Sequence, residues 1–150
     1  MGTHSASDVA KWFLAHNRIY VNEEGADSIS NMKLQKLLYY AQGSFLAVYG
    51  KPLFDDKIMA WQHGPVVESV YREYKANGSE GIPFEDDFDF SSFTTEENDL
   101  LTEVYNVFGQ YSAWKLRNMT HNEAPWKTTE KNHEIPQAAI EDYFKKEYVA

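Results

Sequence analysis

The residues of this chain best equipped for chemistry are its five histidines: His4, His16, His63, His121 and His133. None forms a His-x-x-x-His pair, and no His-Glu-x-x-His run stands on a helical segment. The spacings that put two imidazoles on one metal are therefore missing. His121 and Glu123 are close in sequence, and His63 could join them in space as a third ligand. Capping or hydrogen bonding in a turn is the commoner use of such a histidine, so no metal and no other cofactor is assigned. The 150 residues contain no cysteine, which excludes disulfides, thiol catalysis and cysteine-based zinc sites. There is no Gly-x-Ser-x-Gly elbow for a nucleophilic serine, and Gly78 and Gly81 lie too far from any Lys-Ser or Lys-Thr pair for a phosphate loop. Carboxylates are plentiful, but nothing singles out an acid–base pair. The residues give no case for an enzyme.

Charge narrows the partners. With 23 acidic against 14 basic residues the chain carries a net charge of −9. Phosphate recognition depends on clustered Lys and Arg, so nucleic acid is not an expected partner, and an anionic membrane surface is disfavoured for the same reason. A basic protein would be steered toward such a surface. Lys33 and Lys36 are too few, among core positions, for a DNA-reading helix. No run is apolar and long enough to span a bilayer, and no basic segment followed by an apolar stretch opens the chain, so a cytoplasmic protein is expected.

The elements that would position these residues are mainly helical: about six helices in a single compact domain, with a possible short β-hairpin. The first helix starts near Ser5, with Val9, Trp12, Phe13, His16 and Tyr20 on one face. Ser30 caps a second, central helix whose stripe is Leu34, Leu37, Leu38, Ala41, Phe45 and Val48; Gly50 and Pro52 end it. Lys57 to His63 reads as an extended piece, broken by Gly64-Pro65, with Pro65 opening a third helix. Residues 78–93 interleave Phe84, Phe88, Phe90 and Phe93 with Glu85, Asp86, Asp87 and Asp89 as a loop or short edge strand. Burial of the phenylalanines with the acids left in solvent is the expectation there, docking on a basic partner the alternative. Thr94 and Glu97 have capping-box spacing before a fourth helix. Ser112 caps a fifth, which Pro125 ends, and Pro136 opens the last.

Four segments carry a resemblance. Asp8-Val9-Ala10-Lys11-Trp12-Phe13-Leu14 is followed by Leu34-Gln35-Lys36-Leu37-Leu38-Tyr39-Tyr40-Ala41-Gln42, then by Trp61-Gln62-His63-Gly64-Pro65-Val66, then by Thr120-His121 with Pro125-Trp126. In this order they resemble the Panacea domain, the SocA-like (phage-associated, GepA-like) antitoxins. The resemblance implies a domain over residues 8–150 behind a tail of residues 1–7. It implies an antitoxin that neutralises a cognate toxin protein, encoded by the adjacent gene, through direct contact. Some members carry a DNA-binding region ahead of the domain; here operator binding is not expected. Delivery of the toxin to a protease, or enzymatic reversal of its damage, are the alternatives. The hallmark leucines belong to the core stripe. The members that the stripe leaves unexplained are the candidate contacts: Tyr39, Tyr40, Gln42, Trp61, His63 and His121. Asp86 and Asp89 in the acidic loop are candidates independent of the resemblance. The oligomeric state is not read from the sequence.

Overall fold

A computed structural model describes residues 2–148, apart from the side chain of Glu24. Helix α1 spans Ala6–Glu24, with the Ser5 hydroxyl accepting from the Asp8 N–H at its start and Gly25, at φ 69°, closing it. Helix α2 spans Asn31–Tyr49 between a Ser30 cap and a left-handed Gly50. From Asn31 to Leu46 almost every side chain of α2 is buried, polar ones included, so it is covered on all sides. It packs against α1, β2 and all of the later α-helices but the shortest. This is the central helix that the leucine stripe predicts; only Val48, at its last turn, is exposed.

The segment after it corrects one expectation. Strand β1, Ile58–Trp61, pairs antiparallel with β2, Gly64–Val67, so Pro65 stands in a strand and helix α3 begins only at Glu68, running to Glu73. Two reasons favour the strand. Val66 and Val67 are β-branched, and the Val67 N–H is taken by the side chain of Gln35 on α2, 2.9 Å away. Pro65 is tolerated because β2 is an edge. The other side of β1 is covered by residues 132–135, with the Ile135 N–H on the Ile58 carbonyl.

Residues 78–93 form a loop with one 3₁₀ turn, Phe90–Ser92. Phe93 is buried, the other three phenylalanines pack half-buried on the core, and the acids face solvent. Helix α4, Thr95–Phe108, has the full Thr94/Glu97 capping box. Burial works to raise the Glu97 pKa, but hydrogen bonds from the Thr94 N–H and the His4 ring outweigh it and hold the carboxyl below its usual range. His4 is also tied to Leu53 through its backbone N–H, so the segment before Asp8 is packed where it is described. Helix α5, Ala113–His121, is followed by a short α6, Ala124–Lys127, in which Pro125 opens a turn and does not end one. The last, α7, spans Gln137–Glu147 and buries Ile140 and Phe144. Among the described residues the architecture is thus mainly α, seven helices and one hairpin in one domain.

Candidate functional site

Three of the four segments quoted above meet at one side chain. Lys36, on α2, is 1% exposed and extends under the hairpin to donate to the Pro65 carbonyl at 3.2 Å. Gly64 makes this possible. Its φ of 110° suits few other residues, and a Cβ there would lie 2.6 Å from Lys36 Cε and 2.8 Å from the Thr120 hydroxyl of α5. Burial pushes the Lys36 ammonium down to a pKa of about 7, and the nearby Arg117 guanidinium adds to the shift.

Lys36 borders a cavity of about 650 Å³ between the start of α2, the hairpin, α3 and the start of α5. Trp61, His63 and Trp114 form part of its rim. Trp114 is 56% exposed, the most exposed large apolar side chain among the described residues. The Arg117 guanidinium lies 4.5 Å from the centre of its ring, and the same group donates through Nε to His63 Nδ1 at 3.0 Å. A neutral imidazole that accepts at Nδ1 carries its proton on Nε2, so His63 is left with a free donor. Trp61 is half-buried and sets its ring edge-on to Tyr71.

His121 sits behind this rim. Its ring stacks on Trp126 with centroids 4.0 Å apart, and its Nε2 is buried without a hydrogen-bond partner among the described residues. Burial lowers its pKa, and Arg117, Lys131 and Lys36 reinforce the effect. Trp126 is pinned in turn, its indole N–H donating to the Trp61 carbonyl at 2.7 Å.

The remaining candidates lie elsewhere. Tyr39 and Tyr40 are wholly buried and donate to the two oxygens of Glu123 at 2.9 and 2.8 Å; the Tyr148 hydroxyl donates there as well, at 2.6 Å. Burial raises the Glu123 pKa against the pull of these three bonds. Gln42 is buried too. Its amide accepts from the Leu53 N–H and donates to the Phe54 carbonyl, fixing the chain after α2. In this conformation Tyr39, Tyr40 and Gln42 offer no surface to a partner, and their polar groups are used up inside the fold. Glu123 therefore faces the tyrosines while His63 faces Arg117, so the sequence neighbours His121 and Glu123 do not converge with His63. Asp86 and Asp89 are exposed. The Asp86 carbonyl accepts from Arg18 of α1, and the Asp89 carboxylate caps the Phe90–Ser92 turn through the Ser91 hydroxyl and N–H, which hold its pKa down. Neither borders the cavity.

Sequence reasoning passed over Lys36, Trp114 and Arg117. A signal existed for two of them. Lys36 interrupts a run of leucines on a helix that must be buried. Trp114 lies outside the Leu116–Thr120 face of α5, where a large apolar residue has no core to enter.

A family model described as "Antitoxin SocA-like, Panacea domain" matches residues 34–127. Antitoxin SocA of Caulobacter vibrioides (strain NA1000 / CB15N) is 52% identical over 54 residues, which are 36% of this chain and 29% of that protein. The match therefore spans less than a third of the relative's length. No solved structure matches. The matched stretch contains Lys36, Gly64 and Thr120, the residues that meet beneath the hairpin, and on these grounds the chain belongs to the SocA-like antitoxins of the Panacea-domain family.

Proposed function

We propose that this antitoxin neutralises its toxin by direct binding, in the cytoplasm, and that the toxin is the product of the adjacent gene. One observation carries the choice of contact face: an exposed Trp114 under the Arg117 guanidinium, beside His63 and Trp61. Tryptophan and arginine are the residues on which binding energy concentrates at protein interfaces. The stacked His121 and Trp126 support this face from behind, and Tyr39, Tyr40 and Gln42 support it by stiffening α2. The acidic loop at Asp86 and Asp89 is a second contact for a basic toxin, acting through charge.

The test is co-expression with the neighbouring gene's product, followed by co-purification and stoichiometry. A stable complex is expected, with growth restored only near equimolar antitoxin. Trp114→Ala and Trp61→Ala each weaken the complex by about 2 kcal/mol while the melting profile stays cooperative. Reversal of Asp86 and Asp89 to lysine slows association. Rescue at sub-stoichiometric antitoxin with no complex would overturn direct neutralisation. A complex accompanied by falling toxin levels would point to delivery to a protease.

A further inference from the structure

The cavity above Lys36 has chemistry of its own, although it shares Trp61 and Trp114 with the toxin face on its rim. Its volume is in the range of small-molecule sites, about 300–1,000 Å³. The chain holds 23 Asp and Glu, yet none of the residues that line this cavity is acidic. Instead the lining presents hydrogen-bond donors. Among the described residues Lys36 has one acceptor, the Pro65 carbonyl, for its three N–H groups. His63 keeps its Nε2–H. Lys75 and the indole N–H groups of Trp61 and Trp114 have no acceptor among the described residues. Two of the lining amides are engaged: Gln35 bonds to Asn31 and to Val67, and Asn31 to the Tyr71 carbonyl. A lining with a buried ammonium and further N–H donors, and with no carboxylate, fits an anionic ligand, and the aromatic rim fits a flat one.

A buried ammonium with a single bond is also far from satisfied, since unpaired buried charge is costly. A carboxylate would complete its coordination. We propose that this cavity is a binding site for a small aromatic carboxylate, with its carboxylate on Lys36 and its ring between Trp61 and Trp114. The site exists in the antitoxin alone, so the proposal does not depend on the toxin.

The experiment titrates the full chain with naphthalene-2-carboxylate and, separately, with the uncharged naphthalene-2-carboxamide. Binding is read by calorimetry and by the indole N–H resonances of the four tryptophans. The carboxylate is expected to bind at least about tenfold more tightly than the amide, as a charge-assisted bond requires. The largest shifts fall on Trp61 and Trp114, and Trp12, which donates to Asn98 in the core, stays still. Lys36→Met removes the preference and binds both compounds alike. Equal affinity of the wild-type chain for acid and amide would overturn the proposal, as would shifts centred on other tryptophans or no binding at millimolar ligand. The acid–amide comparison on the wild-type chain decides the matter even where Lys36→Met does not fold.

Discussion

At the scale of single residues, two buried ionisable groups were solved in opposite ways. Glu123 receives three tyrosine hydroxyls, so its lone pairs are used even though burial raises its pKa. Lys36 receives one carbonyl and keeps the strain of a buried cation. The consequence for stability has a definite sign. A free lysine titrates near 10.4, and folded Lys36 near 7. Between these values the unfolded chain holds a proton that the folded chain has given up, so raising the pH across that window stabilises the fold. Below about pH 7 the charged amine is buried beside Arg117 and the fold is weaker. Urea unfolding of the wild type at pH 6.5 and 9.5 is expected to show a gain at the higher pH of up to a few kcal/mol. Lys36→Met should lack that gain, and parallel pH profiles for the two proteins would show that Lys36 titrates normally. The sequence hinted only that Lys36 interrupts a run of leucines, not that it titrates low. A lysine on a leucine-rich helix looks like a residue that reaches solvent, and only the hairpin laid across it prevents that. The same blindness applies to Tyr39 and Tyr40, whose polar tips suggested a partner until Glu123, more than 80 residues away, was seen to take both.

At the scale of elements, most of what the sequence promised came from local chemistry. Serine or threonine caps at Ser5, Ser30, Thr94 and Ser112 and the glycine stop at Gly50 fall where the sequence places them, because a cap satisfies backbone groups of its own helix. The hairpin was half legible. Gly64-Pro65 is a strong local signal for a break, but the choice between helix and strand depended on Gln35 of α2 and on the chain at 132–135. Pro125 failed as a helix stop for a related reason, since proline opens a helix as readily as it ends one. Gly64 ties the elements together. Gly64→Ala is expected to destabilise the protein by about 2 kcal/mol or more, from the positive φ and the contact with Lys36 Cε. Thermal melting checks this, and combining Gly64→Ala with Lys36→Ala should recover the part of the loss due to the contact.

At the scale of the whole molecule, the family match and the fold have different limits. The matched residues, 34–127, leave out α1 and α7, yet both bury side chains against α2. Gly43 of α2 is approached so closely by the Phe144 ring of α7 that a methyl group would not fit between them. Tyr148 reaches from just beyond α7 to Glu123. A fragment limited to residues 31–130 is therefore expected to lack a cooperative thermal transition, as followed by circular dichroism. A sharp transition in that fragment would mean that α1 and α7 are accessories. The net charge of −9 was read as a surface of one sign, and in sum it is. A total says nothing about distribution, however, and the acid-free lining of the cavity above Lys36 appears only when α2, the hairpin and α5 are brought together.

The stacked histidines have an optical consequence. Trp12 lies nearly parallel to the His16 ring at 4.7 Å, and Trp126 to the His121 ring at 4.0 Å. Burial holds both imidazoles below their ordinary pKa, so they stay neutral at physiological pH. A protonated imidazole in contact with an indole quenches its emission. Two of the four tryptophans thus carry their own acid-sensitive quencher, one in α1 and one in α6. Acidification is therefore expected to dim the emission of Trp12 and Trp126, an outcome that a fluorescence titration checks.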